Sequence, residues 1–158
     1  MNYWIVASYK INEIKKVETN LKNQNFDYYL PKIITKKINS VPREEALFPG
    51  YIFINTILEN YSALKFTRGI KSLIRFGNNI SCMDEEEIKN IKLVEKESKA
   101  NPICSNLSIG QEAFVESGSL KGSIVKICSL PANNRVDILI HILGSKRRVN
   151  IPISAITL

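Results

Sequence analysis

The richest chemistry in the chain lies at Leu47-Phe48-Pro49-Gly50-Tyr51-Ile52-Phe53-Ile54. Three rings, Phe48, Tyr51 and Phe53, crowd around a Pro-Gly turn. In a strand, Tyr51 and Phe53 share one face. Such a face either packs in a core or, turned outward, forms an aromatic patch for a protein or a base. Other constellations offer less. The single histidine, His141, sits between Ile140 and Ile142 with no Cys or acidic side chain at ligand spacing, and reads as a packed or surface residue. The acidic run Asp84–Glu87 suits the first turn of a helix, where it complements the macrodipole without a metal. No phosphate-binding glycine loop, zinc-protease helix or nucleophile elbow occurs. A non-enzymatic protein with no catalytic residue, cofactor or metal is expected.

Cys82, Cys104 and Cys128 are far apart and odd in number, so neither a zinc knuckle nor a disulfide scaffold is supported. They read as small apolar side chains in a reducing compartment. The start of the chain lacks the apolar run of a signal peptide. No stretch approaches the roughly 20 residues of a membrane span. A cytoplasmic protein, a monomer with no membrane partner, is expected. Its 158 residues are 44% apolar, enough for a real core, and carry a net charge of +7. The excess is concentrated: residues 1–80 hold 12 basic and 6 acidic side chains. Such a balance favours a polyanionic partner and places it on the first half of the chain.

The elements that must carry these residues follow from periodicity. Tyr3–Tyr9 is β-branched and aromatic and reads as a strand. Ile11, Ile14, Val17 and Leu21 recur at helical spacing, with Asn12 as N-cap. Phe26–Leu30 and Lys32–Ile38 read as strands, Ser40–Glu45 as a loop or hairpin tip, and Ala46–Asn55 as a strand. Asn60–Phe66 suits a short helix, Ile70–Phe76 a strand and Asp84–Lys96 a helix. The class is α+β, a mostly antiparallel sheet with helices on one side. Pro102 and its small polar neighbours mark a linker over 99–108, separating a domain of residues 1–98 from one of 109–158. The second is punctuated by Gly110, Gly118, Gly122, Pro131, Gly144 and Pro152. Its short apolar runs, Ala113–Glu116, Ser123–Cys128, Val136–Ile142, Arg148–Ile151 and Ala155–Thr157, imply a small five-stranded barrel.

Gly50–Ile54 is loosely similar to an RRM signature, though Pro49, Ile52 and Thr56 depart from it. A second resemblance is nearly end to end. Trp4 in the first strand, the helix Ile11–Gln24, Leu47–Phe53 and Phe66-Thr-Arg-Gly-Ile-Lys-Ser-Leu-Ile-Arg-Phe-Gly77 resemble the NusG family of transcription elongation factors, and within it the specialised RfaH-type antiterminators. Ile109-Gly-Gln, Glu116–Gly122 and Ile142–Gly144 resemble its SH3-like KOW domain.

The resemblance implies a factor that binds RNA polymerase at its clamp and suppresses pausing and termination. Val6, Ser8, Phe48, Tyr51 and Phe53 would line the clamp-binding patch, and Tyr61 and Ser62 would reach the opposite jaw. Non-template single-stranded DNA would meet Lys10, Lys16, Asn20, Asn23, Gln24, Thr67 and Arg68, with Lys71 and Arg75 extending the basic surface. Lys16, Asn20 and Gln24, four residues apart, would share one helix face, as would suit either DNA contact or plain solvation. Ile142, Leu143 and Gly144 would contact a small-subunit ribosomal protein or a termination factor. In RfaH-type members the second domain can instead form an α-helical hairpin that masks the polymerase patch; the β-branched residues here favour the barrel. A general NusG factor and a free-standing RNA-binding module are the alternatives.

Overall fold

The computed structural model describes residues 2–77, 79–104, 127–128 and 130–145. In chain order the elements are β1 (Tyr3–Tyr9), α1 (Ile14–Asn23), β2 (Asp27–Tyr29), β3 (Lys32–Lys36), β4 (Arg43–Ala46), β5 (Tyr51–Thr56) and α2 (Tyr61–Lys65). There follow β6 (Ile70–Leu73), β7 (Arg75–Phe76), β8 (Asn79–Ile80), β9 (Cys82–Met83), α3 (Glu85–Ala100), β10 (Ile103–Cys104) and α4 (Ala132–Ser145). They form two compact units, one holding residues 2–30 and 50–84, the other residues 31–49 and 85–145 as far as they are described.

In the first unit β1 is central. It pairs antiparallel with β5 on one side and with β6 and β9 on the other, and β2 extends the sheet beyond β5. Alternation sorts the side chains. Ile5, Ala7, Tyr9, Ile52 and Ile54 join Val17 and Leu21 of α1 and Tyr61 and Leu64 of α2 in one core. Burying each large aliphatic side chain contributes about 1.5–3 kcal/mol. Helix α1 starts later than the periodicity suggests. Ile11–Glu13 form a 3-10 turn, Ile11 is exposed, and Asn12 is no cap. Tyr28 donates from its hydroxyl to Glu18 Oε1 at 3.1 Å, tying β2 to α1.

In the second unit β3 pairs antiparallel with β4 and parallel with β10, and α3 packs on β3. The Lys32 and Ile34 N–H groups donate to Glu95 Oε1 (3.2 Å) and Ser98 Oγ (3.0 Å) of α3. Residues 43–46, expected mostly as loop, are a strand because Arg43, Glu44, Glu45 and Ala46 pair with Thr35, Ile34, Ile33 and Lys32. The strand expected over Ala46–Asn55 is broken at Pro49-Gly50, where Gly50 takes φ +87°. Ile70–Phe76 divides into β6 and β7.

Helix α3 runs past Lys96 to Ala100 and stops before Pro102, which has no N–H to continue it. Part of the expected linker is therefore helix and strand. The expected strand at Val136–Ile142 lies inside α4. Arg135, Leu139 and Leu143, four residues apart, are its buried stripe. Ile127 and Cys128 are also helical. The remaining expected barrel strands lie outside the described residues.

Candidate polymerase and nucleic-acid interfaces

The first candidate site is the sheet face opposite the core of the first unit. The register places Val6 opposite Phe53 and Ser8 opposite Tyr51, so four of the expected patch residues share one face. Trp4, Tyr29 and Met83 join them through the pairs Trp4–Met83 and Tyr29–Phe53. Tyr29 stacks obliquely on Phe53, with ring centroids 6.4 Å apart. Ser8 and Ser72 share a 2.8 Å hydroxyl contact at the edge.

This face is not open. Val6 and Phe53 are fully buried, Trp4 and Met83 nearly so, and Ser8, Tyr29, Tyr51 and Asn55 are half-exposed. The expectation of an outward aromatic patch is corrected to that extent. Phe48, in the second unit, is buried as well, so it offers no ring to solvent. Tyr61 belongs to the core, held there by α2, and Ser62 is half-buried beside it.

The second candidate site joins α1 to the turn after α2. Gly69 makes the close approach. Its φ is +94°, and a Cβ there would lie 2.4 Å from Val17 Cγ2. The Gly69 carbonyl accepts from Lys10 N–H at 3.3 Å. Asn20 Nδ2 donates to the Arg68 carbonyl at 3.2 Å. Gln24 Nε2 donates to Thr67 Oγ1 (3.0 Å) and to the Asn20 carbonyl (3.1 Å).

The structure thus gathers Lys10, Asn20, Gln24, Thr67 and Arg68, with Lys16 one turn before Asn20 on α1. Thr67 is buried and its hydroxyl donates to Ala63 at 2.8 Å, so it positions the turn and does not face solvent. Lys16 leans on Glu13 at 3.6 Å, a surface pair that restrains it weakly. Lys10, Asn23, Arg68, Lys71 and Arg75 are exposed.

The second unit holds a residue that sequence reasoning missed. Arg135 of α4 is 1% exposed. Its Nε donates to Leu47 O at 2.7 Å, Nη1 to Leu130 O at 2.7 Å and Nη2 to Ala46 O at 3.1 Å. Nη1 also pairs with Glu45 Oε1 at 3.2 Å. A guanidinium has five N–H donors and no acceptor, so a bend of backbone carbonyls satisfies it well. Its signal in the sequence was the four-residue spacing to Leu139 and Leu143, overlooked beneath the alternation of Val136, Ile138 and Ile140. Leu143, expected as a contact residue for a ribosomal protein or termination factor, is buried on α4. Gly144 follows it half-buried, and Ile142 lies on the same helix. Near Arg135, burial pushes the Cys128 thiol up to about 12, opposed by the positive charge of Arg135. At neutral pH it is an inert thiol.

Among the described residues no cluster of His, Cys, Asp and Glu could hold a metal ion, and no helix is long and apolar enough to cross a membrane. In the first unit, α1 and α2 pack on one face of an antiparallel sheet. A family model described as transcription termination factor nusG matches residues 2–92, more than half of the chain. The chain therefore belongs to the NusG family, whose members are non-enzymatic transcription factors that bind RNA polymerase. Comparison with curated proteins finds no match.

Proposed function

We propose that this protein is an elongation and antitermination factor that rides on RNA polymerase and holds the non-template DNA strand, suppressing pausing and termination. The observation that carries the DNA half of this reading is the hydrogen-bonded junction of α1 with the Thr67–Gly69 turn. It brings Lys10, Lys16 and Arg68 to an amide-bearing helix face. Cations there meet phosphates, which position the strand, and amides meet base edges. Both protons of the Gln24 amide are committed within the protein. What it offers a base is its oxygen, an acceptor suited to the exocyclic amine of adenine or cytosine.

Polymerase would dock on the second sheet face through Val6, Ser8, Tyr51 and Phe53. Of these, Ser8 and Tyr51 reach solvent and would make the first contact. Asn55 Oδ1, also on that face, is buried without a hydrogen-bond partner. A docked donor would relieve it. Helix α4 supports the specialised, RfaH-type reading, in which the second domain is stored as helices and later contacts a ribosomal protein or termination factor through the segment around Leu143. The domain limits 1–98 and 109–158 belong to this proposal.

Two measurements test it. In transcription with purified polymerase, the full chain should shorten pauses, and Tyr51→Ala should lessen the effect. In oligonucleotide binding, Lys16→Ala with Arg68→Ala should flatten the salt dependence by about 0.7 in slope for each lost phosphate contact. An unchanged slope would show those cations idle. Recruitment at every transcribed gene would reject the specialist in favour of a general factor.

A further inference from the structure

Phe66 is the one aromatic among the exposed large apolar side chains of the described residues, at 68% exposure. A single exposed ring is ordinary on a protein surface. Three features set this one apart. First, its backbone is fixed. Phe66 caps α2, its N–H donates to Ser62 O at 3.2 Å, and the next N–H, of Thr67, donates to Leu64 O at 3.1 Å. Tyr61 and Leu64 anchor that helix in the core, so the ring projects from a rigid base. Second, cations bracket it. Lys65 Nζ lies 5.7 Å from the ring centroid and the exposed Arg68 follows two residues later. Third, Thr67, the next residue, is bonded to Gln24 of the amide-bearing α1 face. An apolar ring and two cations on one rigid turn, with hydrogen-bonding amides on the helix bonded to it, are the parts of a single-strand binding surface.

We propose that Phe66 is a stacking platform for one unpaired base of single-stranded DNA, with Lys65 and Arg68 holding the phosphates beside it. The inference rests on the DNA-binding reading of the α1 junction and adds the residue that supplies its non-electrostatic affinity. A phenyl ring has two faces. Lys65 sits over one, close enough for a cation–π contact. The base takes the other, and the ammonium is then already beside the strand. A Phe ring stacks every base, so it contributes affinity rather than sequence choice. Choice falls to the amides of Asn20 and Gln24.

The test uses the full chain and a labelled single-stranded DNA of about 12 nucleotides carrying one 2-aminopurine, within the footprint of such surfaces. Phe66→Ala and Phe66→Leu should each weaken binding between about five-fold and a hundred-fold, the range of one lost base stack. Phe66→Trp should restore it. The salt slope should stay that of the native protein, because no charge is removed. The native chain and Phe66→Trp should quench 2-aminopurine, and Phe66→Ala should not. The ring is exposed, so all three variants should melt with the native protein.

Equal affinity of Phe66→Ala and the native chain, alongside a clear loss in Lys16→Ala with Arg68→Ala, overturns the stacking role and leaves the DNA reading standing. Native-like binding by Phe66→Leu also overturns it, since any apolar group would then serve. Loss of polymerase capture in Phe66→Ala with unchanged oligonucleotide affinity makes the ring a protein contact and overturns it as well. Failure of the native chain to bind the oligonucleotide overturns both readings together.

Discussion

Helices α1 and α4 are seated in their units by opposite means. Helix α1 buries Val17 and Leu21 against the sheet and turns its polar residues outward. Helix α4 buries Leu139 and Leu143 but also Arg135, whose guanidinium reaches three carbonyls and Glu45. An apolar seat loses a little with each atom removed but has no room for atoms added. A polar seat depends on every partner at once, because a buried charge or carbonyl left alone is costly. The sequences differ in the same sense. Helix α1 (Ile14–Asn23), which reads Ile-Lys-Lys-Val-Glu-Thr-Asn-Leu-Lys-Asn, has only a helical apolar period. In α4 the alternation of Val136, Ile138 and Ile140 would serve a strand equally well. The seat of α4, more than its propensity, makes it a helix.

The largest test of this contrast is Gly69→Ala, at the seat of α1. The new Cβ meets Val17 Cγ2 at 2.4 Å in a left-handed backbone. Strain and overpacking together should lower the stability of the first unit by about 3 kcal/mol. Val17→Ala added to it should cost less than it does alone, because it removes the clash. Denaturant melts of the four proteins give the coupling. Simple additivity would mean that the turn moves away from α1 and the contact is not tight.

Arg135→Ala tests the other seat. It strips Ala46, Leu47 and Leu130 of their donors and should cost about 3 kcal/mol. The loss should be local: hydrogen exchange should quicken across α4 while β1 and β5 keep their protection. Glu45→Gln should cost about 1 kcal/mol or less. That carboxylate is 41% exposed, and its amide replacement still accepts a hydrogen bond. Equal loss of protection in β1 and α4 on Arg135→Ala would erase the distinction between the seats.

The same contrast explains what was legible in the sequence. Tyr3–Tyr9 is a strand with the expected ends, because β-branched and aromatic residues alternate there with nothing to compete. The shared face of Val6, Ser8, Tyr51 and Phe53 also follows from alternation. Its burial does not, since alternation separates faces without telling what covers them. The polar strand β4 was hidden because its register comes from pairing with β3. Arg135 was hidden because a guanidinium in a helix ordinarily faces water, and its acceptors at Ala46 and Leu47 lie 89 and 88 residues away in the chain. The α1 junction was half legible. Helical spacing aligned Lys16, Asn20 and Gln24, but the hydrogen bonds to Thr67 and Arg68 cross more than 40 residues of chain.

A smaller effect should appear at alkaline pH. The Cys128 thiol is raised from 9.0 to about 12 in the folded protein. The unfolded chain then releases its proton first, so stability is fully present below about pH 9 and declines as pH rises toward about 12. Tyr9 and Tyr28, also raised by burial, add to the decline at the upper end. Cys128→Ala should flatten the fall. With a thiol reagent at neutral pH, exposed Cys104 should react first, and Arg135→Ala should speed the reaction of Cys128. A Cys128 that reacts as fast as Cys104 in the native protein would mean that α4 is not held by its polar seat.

The smallest effect belongs to Gln24→Ala, at the polar rim of α1. It removes the bonds to Thr67 Oγ1 and to the Asn20 carbonyl, yet the Thr67 hydroxyl keeps its own donation to Ala63 O. The amide is at the surface, where water replaces it. The cost should be about 1 kcal/mol in a thermal melt, since two hydrogen bonds exchanged for water at the surface keep little net value. Gln24→Glu separates stability from function at the same atom. The carboxylate can donate to neither Thr67 Oγ1 nor the Asn20 carbonyl, so the melt should fall about as far as in Gln24→Ala, while its charge repels phosphate and lowers single-stranded DNA affinity further. If both variants destabilise the protein as much as Arg135→Ala does, the rim of α1 is a polar seat after all, and the difference between the two helices is one of position alone.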